Sequence, residues 1–198
     1  MKRLPLWIRE SLLVAGCFAL VYGGANALAG LHAWRIAVHL PWEARIPFIP
    51  AFAPVYLSIS PMMTIVAYLL RRDADGVRRF RRVLVAEILI AGVFFVVIPA
   101  DLGPGFPQEA TPPWKGWMEA CRQVGLAHNL LPSLHVAFAA STAWHAPRAW
   151  RPWLMLWAFL VLLATLLLHL HHLLDVAGGI LLALIVENRT SPRTHDSP

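Results

Sequence analysis

Residues 71–82 read RRDADGVRRFRR, six arginines and two aspartates set between two long apolar runs. Such a stretch does not enter a hydrophobic core, because each guanidinium stays charged and demands water or a partner. Between membrane spans, arginine-rich loops stay on the cytoplasmic side. The stretch therefore orients everything around it. The apolar run before it ends inside, and the run after it begins inside.

A membrane-spanning helix needs roughly 20 mostly apolar residues. Six segments approach that requirement: about 11–31, 52–70, 83–98, 134–150, 153–170 and 172–186. Pro54 and Pro61 predict a kink in the second. By parity, the N-terminus with Lys2, Arg3 and Arg9 falls inside. So do the turn with Arg148 and Arg151 and the tail with Arg189 and Arg193. Three further basic clusters thus agree with one orientation. The chain is 58% hydrophobic and 14% charged over its 198 residues, with a mean hydropathy of +0.59. Soluble domains carry about a quarter charged residues. The expectation is an all-α, polytopic membrane protein: one domain over residues 1–188 and a disordered cytoplasmic tail over 189–198. Both termini lie inside, and the inner membrane of a cell is the expected location.

The net charge of +6 does not indicate a nucleic-acid partner, because the basic residues sit in short clusters between apolar runs. Cys17 lies in an apolar run and Cys121 in a polar connection, with no metal-type spacing, so no disulfide is expected. Asn188-Arg189-Thr190 fits a glycosylation acceptor but falls on the inner side. The basic start and Ala27-x-Ala29 of the first segment also fit a cleaved signal peptide. Its long apolar run favours retention.

The segments outside, 32–51 and 100–132, are rich in Pro and Trp. HAWRIAVHLPW (32–42) is expected to lie in the membrane interface. PPWKGWMEACRQVG (112–125) is expected to form an interfacial helix started by Pro113. Two further stretches carry polar residues where an apolar chain has least use for them. LAHNLLPSLHVAFAAS (126–141) places Ser133 as the N-cap of the fourth helix and His135 in its first turn. HLHHLLDVAGG (169–179) places His171 and Asp175 where the fifth helix gives way to the sixth. Topology brings both stretches to the outer face.

His171 and Asp175 are spaced i, i+4 and share a helix face. A carboxylate on one imidazole nitrogen fixes the tautomer and leaves the other nitrogen as a nucleophile or base. His135 is then placed to give a proton to a leaving group. The free N–H groups at the head of the fourth helix suit an anion. Any one histidine here is also readable as an interfacial or hydrogen-bonded side chain. Asp175 is the sharper sign, being the one acid in the last two apolar runs. His169 points away from His171 and reads as structural, while His172 is open between the two roles.

PSLH at 132–135 matches a Pro-Ser-x-His motif, and HHLLDVAGG matches a His followed four residues later by Asp and then a small-residue helix. On these motifs, their separation and the six-segment layout, the chain resembles the type 2 phosphatidic acid phosphatase superfamily over roughly residues 48–187. Within it, the chain is similar to the branch that includes inositol phosphorylceramide synthase and sphingomyelin synthase. The resemblance implies a six-transmembrane-helix bundle. It implies that His171 becomes phosphorylated, Asp175 orients it, His135 protonates the leaving group and Ser133 helps hold the phosphoryl oxygens. It implies no metal and no cofactor.

Two departures matter. The family's first motif is Lys, six residues, Arg, Pro. Here Lys115 and Arg122 keep the spacing, and Gln123 replaces the Pro. The two cations share a helix face, either to clamp a phosphate or merely to solvate an interfacial helix. The Ser-Arg that precedes the third motif in many phosphatases is Ala164-Thr165 here, and the synthase-like branch also lacks that Arg. The reading is a membrane lipid phosphatase acting on lipid phosphate monoesters or diphosphates at the extracytoplasmic face. A lipid phosphotransferase is the alternative. Outside enzymes, the alternatives are a haem- or metal-binding protein using His135, His169, His171 and His172, or a transporter.

Overall fold

Helix boundaries follow the capping residues more closely than the apolar runs. Asp73 accepts a hydrogen bond from the Gly76 N–H at 2.9 Å. That cap starts a helix inside the arginine-rich stretch, so the helix runs Ala74–Val97 rather than beginning where the apolar residues begin. A computed structural model describes residues 4–103, 106, 108–126 and 128–190. Its helices are α1 (Leu6–Ala29), α2 (Ala53–Leu57), α3 (Ile59–Leu69), α4 (Ala74–Val97), α5 (Lys115–Gly125), α6 (Leu134–His145), α7 (Arg151–Leu167) and α8 (Leu173–Thr190).

The expected kink in the second segment is a break between α2 and α3 at Ser58. Pro54 and Pro61 fall in the first turns of α2 and α3, where a missing N–H leaves no intrahelical bond unmade. The Ser58 hydroxyl accepts the Trp157 indole N–H at 2.7 Å, which ties the break to α7. All six apolar segments are helical, but they are not equally long. Leu6–Ala29 and the stretch Pro50–Leu69 are long and apolar enough to cross a membrane, whereas Arg151–Leu167 is apolar but shorter. α6 has 12 residues, about 18 Å of helix, and ends earlier than expected because Pro147 follows its last turn.

Ile36–Ala37 pair in parallel with Ala100–Asp101, which lays the first long connection beside the second. The helix in 112–125 starts at Lys115, two residues after Pro113. α8 continues through Thr190, into the segment expected as a tail, and residues 191–198 lie outside the described residues. Cys17 and Cys121 are both free thiols.

α6 lies against α3, α4, α7 and α8, and α1 packs along α4. Small residues permit both approaches. A Cβ on Gly92 would come within 2.4 Å of Val21 Cγ1. A Cβ on Gly179 would come within 2.5 Å of the Ser133 carbonyl oxygen. The Gly-Gly pair of α8 is therefore what lets that helix press against the head of α6. At the opposite end of α1, Glu10 Oε2 lies 2.8 Å from Arg81 Nε on α4.

Candidate active site

The turn between α7 and α8 is held by its backbone. The N–H groups of Leu170 and His171 both donate to the Thr165 carbonyl at 3.2 Å. His169 takes a left-handed conformation, φ 54°, which ends α7. His169 Nε2 lies 2.9 Å from the Ile46 carbonyl oxygen, consistent with its structural reading. The chain then enters α8, where the His172 N–H donates to Asp175 Oδ2 at 2.9 Å. The same oxygen faces His171 Nδ1 at 3.4 Å. Asp175, fully buried, thus caps the first turn of its helix and addresses the histidine beside it.

The second motif arrives from α6. Ser133 accepts from the Val136 N–H at 3.5 Å, as an N-cap does. Its own N–H donates to the Asp175 carbonyl at 3.0 Å, a backbone bond that joins the two motifs directly. The His135 and His171 ring centroids are 6.1 Å apart. All four side chains (Ser133, His135, His171 and Asp175) are buried. Among the described residues, His135 Nε2 and Asp175 Oδ1 have no hydrogen-bond partner. Buried polar atoms without partners are costly to a fold.

A cavity of about 500 Å³ adjoins this constellation, lined by His171, Tyr56, Arg122, His128 and the carboxylates Asp101 and Glu109 among others. The sequence pairing of Lys115 with Arg122 divides here. Arg122 reaches the cavity and donates to the Gln108 carbonyl at 2.8 Å. Lys115 is exposed and lines no part of it. Seven residues put the two side chains on one helix face about 10 Å apart along the axis, and of the two only Arg122 lines the cavity. A second, apolar groove of about 260 Å³ runs between α1, α3, α4 and α6. It touches His135 and Tyr22 at one end and Trp7, Glu10 and Arg81 at the other.

Two residues of this region were not singled out by the sequence. Tyr56 stacks on the His135 ring, centroids 3.9 Å apart and planes 19° from parallel. Glu43 lies 2.6 Å from His172 Nδ1. The signal for Glu43 was its isolation, since it is the one acid between Glu10 and Asp73. Of the four histidines weighed as metal or haem ligands, His169 and His172 have ring nitrogens engaged by protein acceptors. No group of three or more His, Cys, Asp or Glu is placed to hold a metal among the described residues. Burial pushes the Cys121 thiol up to about 12, so it remains protonated near neutral pH and offers no rival nucleophile.

No curated protein and no solved structure matches the chain. A family model described as the PAP2 superfamily matches residues 27–187, which include Ser133, His135, His171 and Asp175. Members of that superfamily are phosphoric-ester hydrolases or related transferases. The match spans most of the chain, and the chain belongs to the PAP2 superfamily.

Proposed function

We propose that the protein is an integral membrane phosphatase that removes phosphate from lipid phosphate monoesters or diphosphates through a phosphohistidine on His171. The observation that carries this reading is the meeting of His135 with the His171–Asp175 pair, beside a cavity lined in part by Arg122, Asp101 and Glu109 on one side and an apolar groove on the other.

The chemistry divides into two displacements. Asp175 takes the Nδ1 proton of His171 as a hydrogen bond, which leaves the Nε2 lone pair free. Nε2 attacks phosphorus, and the bond from phosphorus to the lipid or pyrophosphate oxygen breaks. His135 gives its proton to that oxygen as it leaves. The imidazolium formed on His171 is balanced by the Asp175 carboxylate. Water then attacks phosphorus while His135 takes up a proton, the N–P bond breaks and phosphate leaves. Charge on the phosphoryl oxygens meets the first-turn N–H groups of α6, the Ser133 hydroxyl and the Arg122 guanidinium. Lys115 has no part in this step.

The groove supports a lipid substrate. It is apolar along α1, α3, α4 and α6 and reaches His135, so a hydrocarbon chain lying there delivers its phosphate to the site. The Arg81–Glu10 end lies far along α1 from the His135 end. That separation fits six membrane segments with both termini and the arginines in the cytoplasm and the site on the extracytoplasmic face. A phosphotransferase of the inositol phosphorylceramide or sphingomyelin synthase type is the second reading. It is favoured by Ala164-Thr165 and by Asp101 and Glu109 at the cavity, which suit an acceptor bearing hydroxyl groups.

A phosphate-release screen of purified protein separates the readings. It would use phosphatidate, isoprenyl diphosphate and ceramide-linked substrates, with and without an alcohol acceptor. Free phosphate as the sole product supports the hydrolase, and phosphate recovered on the acceptor supports the transferase. No turnover of any substrate, or equal turnover by His171→Ala, refutes both.

A further inference from the structure

The turn that carries His171 is held from behind by a second histidine–carboxylate pair. Glu43 is almost wholly buried, in the short turn Glu43–Arg45. Its Oε2 lies 2.6 Å from His172 Nδ1 and accepts the Leu40 N–H at 3.1 Å. Its Oε1 accepts the Leu173 N–H at 2.8 Å. On the far side of the same imidazole, Nε2 lies 2.9 Å from the Leu102 carbonyl oxygen. A carbonyl oxygen only accepts, so Nε2 carries a proton, and Nδ1 shares a second proton with Glu43.

The pair thereby joins three pieces of chain distant in sequence. Residues 40–43 come from the first long connection. Leu102 belongs to the wall of the cavity that contains His171. His172 and Leu173 are where α8 begins. The last of these bears on the chemistry. The His172 N–H donates to Asp175 Oδ2, the oxygen that faces His171 Nδ1. Anything that fixes the start of α8 therefore fixes the angle between His171 and its carboxylate. Neither Glu43 nor His172 lines the cavity, so neither meets a substrate there.

We propose that Glu43 and His172 are positioning residues that set the geometry of the His171–Asp175 pair, an inference that rests on the phosphohistidine reading above. A pair chosen only to stabilise the fold would have no need of charge or tautomer, since apolar residues of similar volume often serve a buried site as well. A pair that orients a nucleophile leaves its mark on the chemical step, and loss of such outer partners commonly costs ~10- to 100-fold.

The test uses the full chain in lipid nanodiscs with histidine isotope labelling. Glu43→Ala removes the brace. Glu43→Asp keeps the charge but falls short by one methylene. Glu43→Gln keeps two of the three connections, its amide oxygen taking the Leu173 N–H and its NH2 donating to His172 Nδ1, and gives up the Leu40 N–H. The expected result is a fall in kcat of ~10- to 100-fold for the Ala and Asp variants with KM little changed, and recovery of most activity in the Gln variant. In parallel, the His171 ring-nitrogen chemical shifts, which report its hydrogen bond to Asp175, change in the Ala and Asp variants and match the wild type in Gln. Should Glu43→Ala fail to fold, Glu43→Asp decides. Wild-type kcat with unchanged His171 ring-nitrogen shifts in the folded Asp variant overturns the proposal, as does a rise in KM alone. If a His171→Ala control keeps full turnover, the phosphohistidine reading falls, and the ring-nitrogen shifts of His171 in the Glu43 variants still judge the positioning role separately.

Discussion

Replacing Gly179 by alanine tests how closely the site depends on the approach of two helices. The added Cβ would sit 2.5 Å from the Ser133 carbonyl oxygen and 3.0 Å from Val136 Cβ. Ordinary contact begins at 3.4 Å, so the shortfall against Ser133 is 3.4 − 2.5 = 0.9 Å. The obstructing atom is backbone in the residue that caps α6, and no side-chain rotation clears it. α8 and the head of α6 must move apart by about that distance. The first casualty is the 3.0 Å bond from the Ser133 N–H to the Asp175 carbonyl, which joins the two motifs.

Overpacking of this kind costs about 1–3 kcal/mol. The gain in helix propensity from Gly to Ala offsets roughly 0.8–1 kcal/mol of it. Stability should therefore fall modestly, while a displacement near 1 Å at a reacting centre costs ~100-fold in rate. Gly116→Ala is the control, because nothing lies within 4 Å of its added Cβ. It should leave turnover unchanged and raise the melting temperature slightly. Turnover of a short-chain phosphate ester and thermal unfolding, measured on both variants, read the two effects separately. Wild-type turnover by Gly179→Ala together with a melting temperature as high as that of Gly116→Ala would refute the reasoning.

His135→Ala should lower kcat by ~10²–10⁴-fold, the usual worth of a positioned general acid, while binding of a non-hydrolysable phosphonate persists. Arg122→Ala should lower kcat/KM by ~10- to 100-fold through the loss of charge-assisted contacts, and Lys115→Ala should change nothing measurable. Equal losses from both would restore the two-cation clamp. Thr64→Trp and Ala15→Trp, which place bulk in the apolar groove, should depress turnover of long-chain lipid phosphates and spare a short-chain ester. Parallel losses on both substrates would remove the groove from the account.

The motifs were legible in the sequence because each is local. Ser133 as a cap, His135 one turn in, and His171 four residues before Asp175 are fixed by helical periodicity alone. Counting apolar segments and matching basic clusters led to the expectation of one shared face, and the bond from the Ser133 N–H to the Asp175 carbonyl shows the two motifs in contact. What the sequence concealed depends on packing between distant segments. Tyr56 stacks on His135 from across the bundle, and Glu43 reaches His172 from 129 residues away in the chain. No periodicity links residues so far apart. For Lys115 and Arg122 a shared helix face was legible, but which of the two lines the cavity was not. The pairing of Ile36–Ala37 with Ala100–Asp101 was hidden for a related reason, since it is a tertiary contact and leaves no local pattern.

The central claim is that His171 carries the phosphoryl group. The direct measurement is to mix purified protein with ³²P-labelled lipid phosphate, quench in base within the first turnover, and map the label by peptide mass spectrometry. The account requires acid-labile, base-stable label on the peptide bearing His171. That label should accumulate further in His135→Ala with a good leaving group and be absent from His171→Ala. Label on any other residue, or none in a protein that is turning over, would contradict it.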